Sequence, residues 1–492
     1  MNASGSSGNH GHTLSFASMR EECTVALGIA TKIVLAFSGE AGAQMLTVDD
    51  GQVIRGIAFL RAPSGALCVA AGGDGKRINI YHAGLTGTSP EAQSHASSGR
   101  VGELRLVFSF GPHTKRITHV AAYGDTILFA DKFGEVFRLG LAWGLGDSLA
   151  LAPSDATLPI FILQHFSVMS TLFLSAPIRR TTTDATETRR LFTCDKDCHV
   201  RVSCYPDTFR IEQFLWTEAP QSVVTSIAEV PNLSEMQRRS YFVTGNFDGK
   251  VHLWVADNTL IAACPTEPFT LIGSLSALKE ADLNAEGAAA VISVVYATTS
   301  SLPDGVNKHA GMGYAHGVLV AYANTNDVVF VPLLEREDDH RLSFAVENVT
   351  RTRLDSPPLA MVGLATDSAL LLKRTGRVQV LQLVGVADQE AVIHLAEPRH
   401  AALETAVGEL VKENGGTLLE AMNLFSQWQY DAVDPRTRNV GKVRAASDDV
   451  DDNNEDDGED VADSAPVEDK LAGGKRGRVE SGGEAQRHSH MA

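Results

Sequence analysis

Cysteine is scarce in this sequence of 492 residues, with only six in the whole chain. Such sparse use is typical of a protein that works in a reducing compartment and is not held together by disulfides. Cys194, Cys198 and Cys204 lie close together, but their spacing matches none of the common zinc-binding patterns. Strand alternation instead predicts that Cys198 and Cys204 point inward together as small apolar residues, and we expect no bound metal.

Long hydrophobic runs are also absent. The most apolar early run, Val25 to Phe37, is interrupted by Lys32 and is too short to cross a bilayer. Residues 1–18 do not place a positively charged region before an apolar one, as a secretory signal would. We therefore expect a soluble, intracellular protein without a membrane partner.

The common catalytic motifs are missing as well. The chain has no Gly-x-Ser-x-Gly, no glycine-rich loop ending in Lys-Ser or Lys-Thr, and no His-Glu-x-x-His. The cluster Gly72–Gly75 precedes a predicted strand, whereas a dinucleotide site needs its glycines at the start of a helix. The sequence therefore favours an interaction protein that is not an enzyme and holds no cofactor.

The formal net charge of −18 is unevenly distributed. The segment Asp448–Asp469 carries twelve acidic side chains and no basic one, so the rest of the chain is only mildly acidic. Affinity for nucleic acid comes from Lys and Arg side chains that displace counterions from phosphate. If this chain acts on RNA, we expect a basic partner to supply most of the binding.

A hairpin signature recurs along the chain: an apolar strand, a turn rich in Gly, Asp or Asn, and an alternating strand. Asp-Gly and related pairs tolerate the positive φ that a tight hairpin turn requires. The clear copies are Cys68–Tyr81, Ile127–Leu139, Leu191–Tyr205 and Tyr241–Trp254, with weaker ones at Ile33–Val48, Val318–Val331 and Leu370–Leu381. A further strand precedes several copies, at Gly56–Leu60, Ile117–Ala121 and Val223–Ile227.

This repeat is typical of the four-stranded blade of a β-propeller with inserted loops. Seven copies would close a ring, and a closed ring leaves no exposed sheet edge between the first blade and the last. We therefore predict an all-β fold, a seven-bladed WD40 β-propeller, over residues 19–390.

Different structure is predicted at the two ends. Residues 1–18 are of low complexity and are predicted to be disordered. Beyond Leu383 the apolar residues follow a helical period, first at Leu403, Val407 and Leu410 and then at Leu418, Met422 and Phe425, which predicts a short helical extension over 391–430. The basic and then acidic tail, 431–492, is predicted to be disordered. Its Lys475–Arg478 run is either a nuclear address or an ordinary basic run of a solvated tail.

The stretch Leu191–Pro206 concentrates charge around one hairpin turn. Asp195, Lys196, Asp197 and His199 lie in the turn, and Arg201 lies on the outward face of the next strand. One interpretation is a solvated hairpin tip with compensating charges. The other is a docking patch for a partner protein.

The same stretch resembles a known family. Cys194–Pro206 is similar to the motif Ala-Asp-Arg-Asp-x-x-Ile-Arg-(Ile/Val)-Ser, sometimes followed by x-Tyr-Pro, of the WD-repeat, non-catalytic subunit of the eukaryotic tRNA (guanine-N7)-methyltransferase. Ala130–Val136 and Phe247–Trp254 resemble further elements of that family. Two departures stand out, because Lys196 replaces the arginine of the motif and Ala219-Pro220 replaces a Gly-His pair.

The resemblance implies a subunit that binds and stabilises a separate catalytic subunit in a nuclear heterodimer. The complex would be required for N7-methylguanine at position 46 of tRNA, with S-adenosylmethionine on the catalytic partner and tRNA held mainly through the complex. The resemblance also implies which side chains bind the partner, namely Asp195, Lys196, Asp197, His199 and Arg201. Arg201 would pair with an acidic residue, and Asp195 and Asp197 with Lys or Arg.

Two other functions stay open. A generic WD40 scaffold, for example in ribosome assembly or in a ubiquitin ligase, would share the predicted fold. A propeller enzyme with a site in its central channel would turn over a substrate alone, and the missing catalytic motifs argue against it.

Overall fold

The computed structural model describes strands and the turns that join them. The residues described are 14–39, 42–84, 103–144, 148–151, 159–178, 188–216, 222–231, 238–260, 267–276, 278, 290–299, 316–323, 325–336, 341–375, 377–385 and 391–396. The predicted helices at 403–425 and the predicted tail, 431–492, lie outside these residues.

Thirty strands form seven antiparallel sheets in the described part of the chain, and the sheets are called blades 1 to 7 in chain order. Blade 1 contains β1 (Leu14–Met19), β2 (Thr24–Ile29), β3 (Lys32–Gly39) and β4 (Gly42–Asp49), and blade 2 contains β5 (Ile54–Arg61), β6 (Leu67–Gly73), β7 (Ile78–Gly84) and β8 (Glu103–Phe110). Blade 3 contains β9 (Ile117–Tyr123), β10 (Thr126–Asp131), β11 (Glu135–Trp143), β12 (Leu149–Leu151) and β13 (Ile160–Gln164).

The remaining blades follow the same plan. Blade 4 contains β14 (Met169–Leu174), β15 (Arg189–Asp195), β16 (Val200–Tyr205) and β17 (Ile211–Leu215), and blade 5 contains β18 (Val224–Val230), β19 (Arg239–Asn246), β20 (Lys250–Asp257) and β21 (Phe269–Ser276). Blade 6 contains β22 (Val291–Thr298), β23 (His316–Tyr322), β24 (Asp327–Glu335), β25 (Leu342–Phe344) and β26 (Thr350–Arg353), and blade 7 contains β27 (Pro358–Gly363), β28 (Ser368–Lys373), β29 (Val378–Gly385) and β30 (Ala391–Ala396). Short 3-10 helices lie at Arg20–Glu22, Asn258–Leu260 and Val346–Asn348.

Each blade is a sheet of consecutive strands, which confirms the predicted seven-bladed β-propeller. In blades 3 and 6 two short strands share the outermost position, because β12 and β13 both pair with β11, and β25 and β26 both pair with β24. Most of the predicted hairpins are the second and third strands of a blade: β6 and β7, β10 and β11, β15 and β16, β19 and β20, β23 and β24, and β28 and β29.

The early hairpin copy occupies a different place in its blade. Ile33–Val48 covers β3 and β4, which are the third and fourth strands rather than the second and third. The second and third strands of blade 1 meet instead at Ala30 and Thr31, where Ala30 adopts a positive φ of 53°. No Gly or Asp marks that turn, so the glycine-rich turn one strand later was the only signal in the sequence.

The apolar core lies between neighbouring blades. Phe192 of blade 4 contacts Phe242 of blade 5, with ring centroids 4.7 Å apart. The preceding residue, Leu191, is buried in a second cluster with Leu128 of blade 3. Since successive side chains of a strand point to opposite faces, one strand of blade 4 buries apolar groups against both of its neighbours.

The ring closes between blades 1 and 7 through side-chain packing. Val25 and Leu27 of β2 share a buried cluster with Leu370 and Leu372 of β28. Arg20 also donates a hydrogen bond from Nη1 to the Tyr296 carbonyl of blade 6, at 2.6 Å. In the described part of the chain no strand is shared between the first and last blades, so this apolar seam joins the two ends of the ring.

The outer strands extend past the predicted bounds of 19 and 390. Strand β1 begins at Leu14, and β30 runs from Ala391 to Ala396 in backbone pairing with β29. Residues 14–18 of the predicted disordered segment and 391–396 of the predicted helical segment are therefore strand residues of the propeller. None of the helices among the described residues is both long enough and apolar enough to cross a membrane.

Replacement of Leu27 by Ala should weaken the seam that closes the ring. Leu27 is 1% exposed, and truncating a buried leucine leaves a cavity that lowers the free energy of unfolding by about 2–5 kcal/mol. Chemical denaturation of the purified chain measures the effect. The matched control is Leu334→Ala at a side chain that is 53% exposed, where we expect a change within about 0.5 kcal/mol. Equal effects of the two substitutions would show that the apolar seam does not stabilise the ring.

Candidate functional site at the charged turn of blade 4

The charged turn, residues Asp195–His199, joins β15 to β16 in blade 4. The Asp195 N–H donates to the His199 carbonyl at 3.1 Å, and the Cys198 N–H donates to the Asp195 carbonyl at 3.3 Å. Cys198 has a φ of 68°, in the left-handed region that side chains seldom adopt. The turn is therefore a tight hairpin connection rather than a loose loop, and Cys198 is buried in it rather than placed on the strand beside Cys204.

Asp195 lies beneath this turn and holds it together. Its carboxylate accepts the backbone N–H groups of Asp197, at 3.0 Å, and of His199, at 2.9 Å. The residue is 1% exposed. The predicted pairing of Asp195 with a basic residue of a partner would therefore first require its carboxylate, whose oxygens are bound within the chain, to leave these hydrogen bonds.

A buried histidine from the loop before blade 4 completes the support. His165 approaches Asp195 through Nδ1 at 3.0 Å and the Thr193 hydroxyl through Nε2 at 2.7 Å. A carboxylate only accepts hydrogen bonds, so Nδ1 of His165 carries the proton and donates it. Burial alone raises the pKa of Asp195, but the hydrogen bonds from His165 and from the His199 N–H hold this pKa below its ordinary value.

Blade 3 repeats the same support one blade earlier. Asp131 ends β10, is fully buried, and accepts the N–H groups of Phe133, at 2.8 Å, and of Glu135, at 3.2 Å. His113 lies 3.5 Å from its second oxygen through Nε2. Burial alone raises the pKa of Asp131. The contacts with His113 and the two N–H groups lower it by a larger amount, so the pKa lies below its ordinary value. The aspartate that follows Ala130 or Cys194 is thus a structural residue in both blades.

The other charged residues of the turn stay at the surface. Lys196 and Asp197 are half-buried, and the His199 side chain is 38% exposed. The His199 ring meets Trp216 edge-on, with centroids 6.0 Å apart. Trp216 is itself 51% exposed at the end of β17. The structure therefore brings Lys196, Asp197 and His199 together on one accessible surface.

Arg201 points away from this surface. Its Nε donates to the Ser203 hydroxyl at 3.0 Å and its Nη2 to the Thr208 carbonyl at 2.8 Å, so the guanidinium lies farther along β16. Burial lowers its pKa. The predicted pairing of Arg201 with an acidic partner residue would first require breaking these two hydrogen bonds, and the structure does not group Arg201 with the turn.

Exposed aromatic side chains surround the charged turn, and sequence reasoning missed them. Phe166 is fully exposed next to the buried His165, and Phe133 is 48% exposed in the equivalent turn of blade 3. The Lys115 ammonium lies 5.0 Å from the centre of the Phe133 ring. Phe133, Phe166 and Trp216 are called the aromatic rim below. For Phe166 the available signal was its place directly after the buried His165, but sequence alone does not show which side chain of such a pair is buried.

Backbone contacts make the aromatic rim and the charged turn one continuous surface. The His165 N–H donates to the Gly134 carbonyl of the blade 3 turn at 2.9 Å. The Lys196 N–H donates to the Val168 carbonyl, in the loop that carries Phe166, at 3.1 Å. Among the described residues no group of His, Cys, Asp and Glu side chains has an arrangement that could hold a metal ion.

The comparisons with known proteins give a limited sequence match. No protein-family model matches the chain. The chain is similar to the tRNA (guanine-N(7)-)-methyltransferase non-catalytic subunit TRM82 of Meyerozyma guilliermondii, with 27% identity over 143 residues. That match covers 29% of this chain and 29% of the relative, so the chain matches less than a third of the relative's length.

Two solved structures are similar in shape at low sequence identity. The crystal structure of Saccharomyces cerevisiae Sqt1 aligns with a TM-score of 0.45 and 13% identity over 76% of this chain and 83% of that one. The WD40 β-propeller domain of Doa1 aligns with a TM-score of 0.40 and 10% identity over 79% of this chain and 95% of that one.

Replacement of Asp195 by Asn should destabilise the turn in a pH-dependent way. Loss of a charged acceptor of buried hydrogen bonds should lower the free energy of unfolding by about 1–3 kcal/mol at neutral pH. Because the pKa of Asp195 is lowered in the folded chain, its ionised form stabilises the fold above the ordinary Asp value of about 3.9, and this contribution is lost as the pH falls through and below that value. The difference between wild type and variant should therefore narrow as the pH is lowered from about 7 to about 3.

Denaturation curves at several pH values measure this difference. Asp207→Asn is the matched control, because Asp207 is an exposed aspartate in the turn between β16 and β17 of the same blade. A gap between Asp195→Asn and wild type that stays constant over the whole pH range would contradict the assigned role.

Proposed function

We propose that this chain is the non-catalytic, WD-repeat subunit of a tRNA (guanine-N7)-methyltransferase. It binds and stabilises the catalytic subunit in a heterodimer and is required for N7-methylguanine at position 46 of tRNA. One observation carries the proposal: the stretch similar to this family's motif forms a partly exposed hairpin turn on a β-propeller, in a chain similar to TRM82.

The surface around the turn has the chemistry of a protein interface. Partly exposed aromatic side chains act as anchors in such interfaces, and charged side chains around them select the partner and the orientation. Trp216 and Phe166 supply the anchors, and Lys196, Asp197 and His199 supply the polar groups. In this proposal Lys196 meets an acidic residue of the catalytic subunit and Asp197 a basic one.

The catalytic chemistry and most of the tRNA binding belong to the partner. S-adenosylmethionine binds to the catalytic subunit, and this chain holds no cofactor of its own. The acidic net charge of −18 disfavours tRNA binding by this chain alone, so tRNA is held mainly through the complex.

Charge reversal at Lys196 tests the proposed surface. Lys196→Glu should weaken binding of the catalytic subunit by about 2–5 kcal/mol, because it places like charges against each other across the interface. The measurement is a pull-down of the full chain from its native cells, together with a count of N7-methylguanine in total tRNA. Wild type should retain a methyltransferase, and Lys196→Glu should lose both the partner and the modification.

Arg353→Glu is the matched control, since Arg353 is an exposed basic residue on β26 of blade 6, two blades away from the charged turn. It should leave the partner and the modification unchanged. Retention of the methyltransferase by Lys196→Glu would place the interface elsewhere. Absence of any methyltransferase with wild type, together with an intact modification in cells that lack this chain, would favour the generic WD40 scaffold instead.

A nuclear location is also proposed, from the Lys475–Arg478 run, which lies outside the described residues. Replacing Lys475, Arg476 and Arg478 with Ala should move a fluorescent fusion of the chain from the nucleus to the cytoplasm, because short basic runs serve as nuclear addresses. Microscopy of the fusion in its native cells measures this. Unchanged nuclear signal would exclude this run as the address.

A further inference from the structure

Five basic residues occupy three neighbouring connections of blades 2 and 3. Lys76 and Arg77 lie in the turn between β6 and β7, Lys115 and Arg116 in the connection from β8 to β9, and Lys132 in the turn between β10 and β11. Lys76, Arg77 and Arg116 are exposed, and Lys115 and Lys132 are partly exposed. These five residues are called the basic strip below, and they belong to a chain whose formal net charge is −18.

Backbone contacts join the three connections into one surface. The His113 N–H donates to the Lys76 carbonyl at 2.6 Å, and the Lys132 N–H donates to the Arg116 carbonyl at 3.1 Å. Gly111 packs so closely on the first turn that a Cβ there would lie 2.7 Å from the Lys76 carbonyl oxygen. The basic side chains are therefore carried by backbone segments that contact each other directly.

Phe133 restrains two lysines of the basic strip. The Lys115 and Lys132 ammonium groups lie 5.0 Å and 5.3 Å from the centre of its ring. The face of an aromatic ring attracts a cation, so both lysine side chains are held near one place. A side chain that is already restrained loses less rotamer entropy when it binds a ligand. The strip therefore presents part of its charge in a preorganised form.

Few acidic side chains offset the charge of the basic strip. Asp74 is paired with Arg55, whose Nη2 donates to the Asp74 carboxylate at 2.9 Å. Asp131 is fully buried and accepts backbone N–H groups of its own turn. Glu135 is partly exposed, and its charge interacts with that of Lys115. One partly exposed carboxylate thus lies beside five basic side chains, and the strip keeps a positive excess.

The single sign of its charges distinguishes the basic strip from the charged turn. Lys196 and Asp197 of the charged turn have opposite signs, and complementary patterns of this kind are typical of contacts between proteins. Clustered Lys and Arg side chains with few acidic neighbours indicate a nucleic-acid surface instead, because each of them displaces counterions from a phosphate. The chemistry of the strip therefore matches the backbone of a polynucleotide.

We infer that the basic strip binds the phosphate backbone of an RNA. The choice of RNA over other polyanions rests on the proposed function, in which the complex acts on tRNA. The inference goes beyond that function, because it assigns a direct RNA contact to this chain. The strip also adjoins the surface proposed to bind the catalytic subunit, since the Gly134 carbonyl next to Phe133 accepts the His165 N–H at 2.9 Å.

Binding of an unmodified tRNA transcript to the purified full-length chain is the first measurement. We expect saturable binding at about 50 mM salt that weakens as the salt concentration rises, because bound counterions are released. The double substitution Lys76→Ala with Arg77→Ala should weaken this binding about tenfold. It should also reduce the slope of log affinity against log salt concentration by about 2, one for each phosphate contact that is lost.

Arg353→Ala with Arg377→Ala is the matched control. It removes two exposed basic side chains, one from β26 of blade 6 and one from the turn between β28 and β29 of blade 7. The net charge changes by the same amount, but the affinity and the salt slope should stay close to those of wild type. A wild-type chain that does not bind the transcript would overturn the inference, and so would a strip substitution with no larger effect than this control.

An acidic protein surface is the other ligand that a basic strip could bind, and assembly with the catalytic subunit separates the two. Lys76→Ala with Arg77→Ala should leave the affinity for the catalytic subunit within a few-fold of wild type, while the assembled complex binds tRNA about tenfold more weakly. Loss of the catalytic subunit together with unchanged tRNA binding by the chain alone would assign the strip to a protein interface, and the inference would be wrong.

The outcomes also separate this inference from the proposed function. If no methyltransferase binds the wild-type chain, the proposed function fails, and the transcript measurement on the chain alone still decides the inference. If the methyltransferase binds but the strip substitution does not change tRNA binding, the inference is wrong and the proposed function stands.

Discussion

The second strand of each blade is buried on both faces, and this constraint governs the whole molecule. Phe192 and Cys194 pack with blade 5, whereas Leu191 packs with Leu128 of blade 3. A sheet of this kind buries its surface only between two neighbours, and a ring is the arrangement that gives every sheet two. The stability of one blade therefore depends on the blades on either side. The turns that join the strands are anchored at both ends to these packed sheets.

The charged turn, Asp195–His199, has a buried layer and an accessible layer. Its lower layer is the Asp195 carboxylate with His165 and Thr193, all buried and fixed by short hydrogen bonds. Its upper layer is Lys196, Asp197 and the partly exposed His199 ring, which also contacts the Asp195 carboxylate through Nδ1 at 3.1 Å. Residues adjacent in sequence thus have separate roles, since one sets the shape of the turn and its neighbours meet the surroundings. Substitution of Asp195 is expected to affect stability, and substitution of Lys196 or Asp197 the proposed partner binding.

Much of the fold could be predicted from the sequence because its signals are local. Turns such as Asn246 to Gly249 contain the residues that tolerate a positive φ, and the strands on either side show their pattern within a few residues. The signal was weak at the Ala30 turn, and the predicted hairpin of blade 1 therefore covered its third and fourth strands instead of its second and third. The boundaries were least predictable, since β1 and β30 lie next to segments whose composition favours other structures.

The candidate site was harder to predict because its decisive contacts are distant in sequence. Asp195 is charged and lies in a turn, which suggested exposure, but His165 lies thirty residues earlier and only the fold brings the two together. Arg201 alternates outward as expected, yet its long side chain returns to the backbone of Thr208. Trp216 belongs to the site because its ring contacts His199, and no local sequence pattern indicates this contact.

The way the ring closes has a consequence for how the chain could be connected. Every blade is made of strands that are consecutive in sequence, and the first and last blades meet through side chains in the described part of the chain. No sheet therefore depends on where the polypeptide starts. A circularly permuted chain, joined end to end across the seam and opened between any two blades, would keep all seven sheets whole. The fold therefore does not require that the blades be synthesised in one particular order.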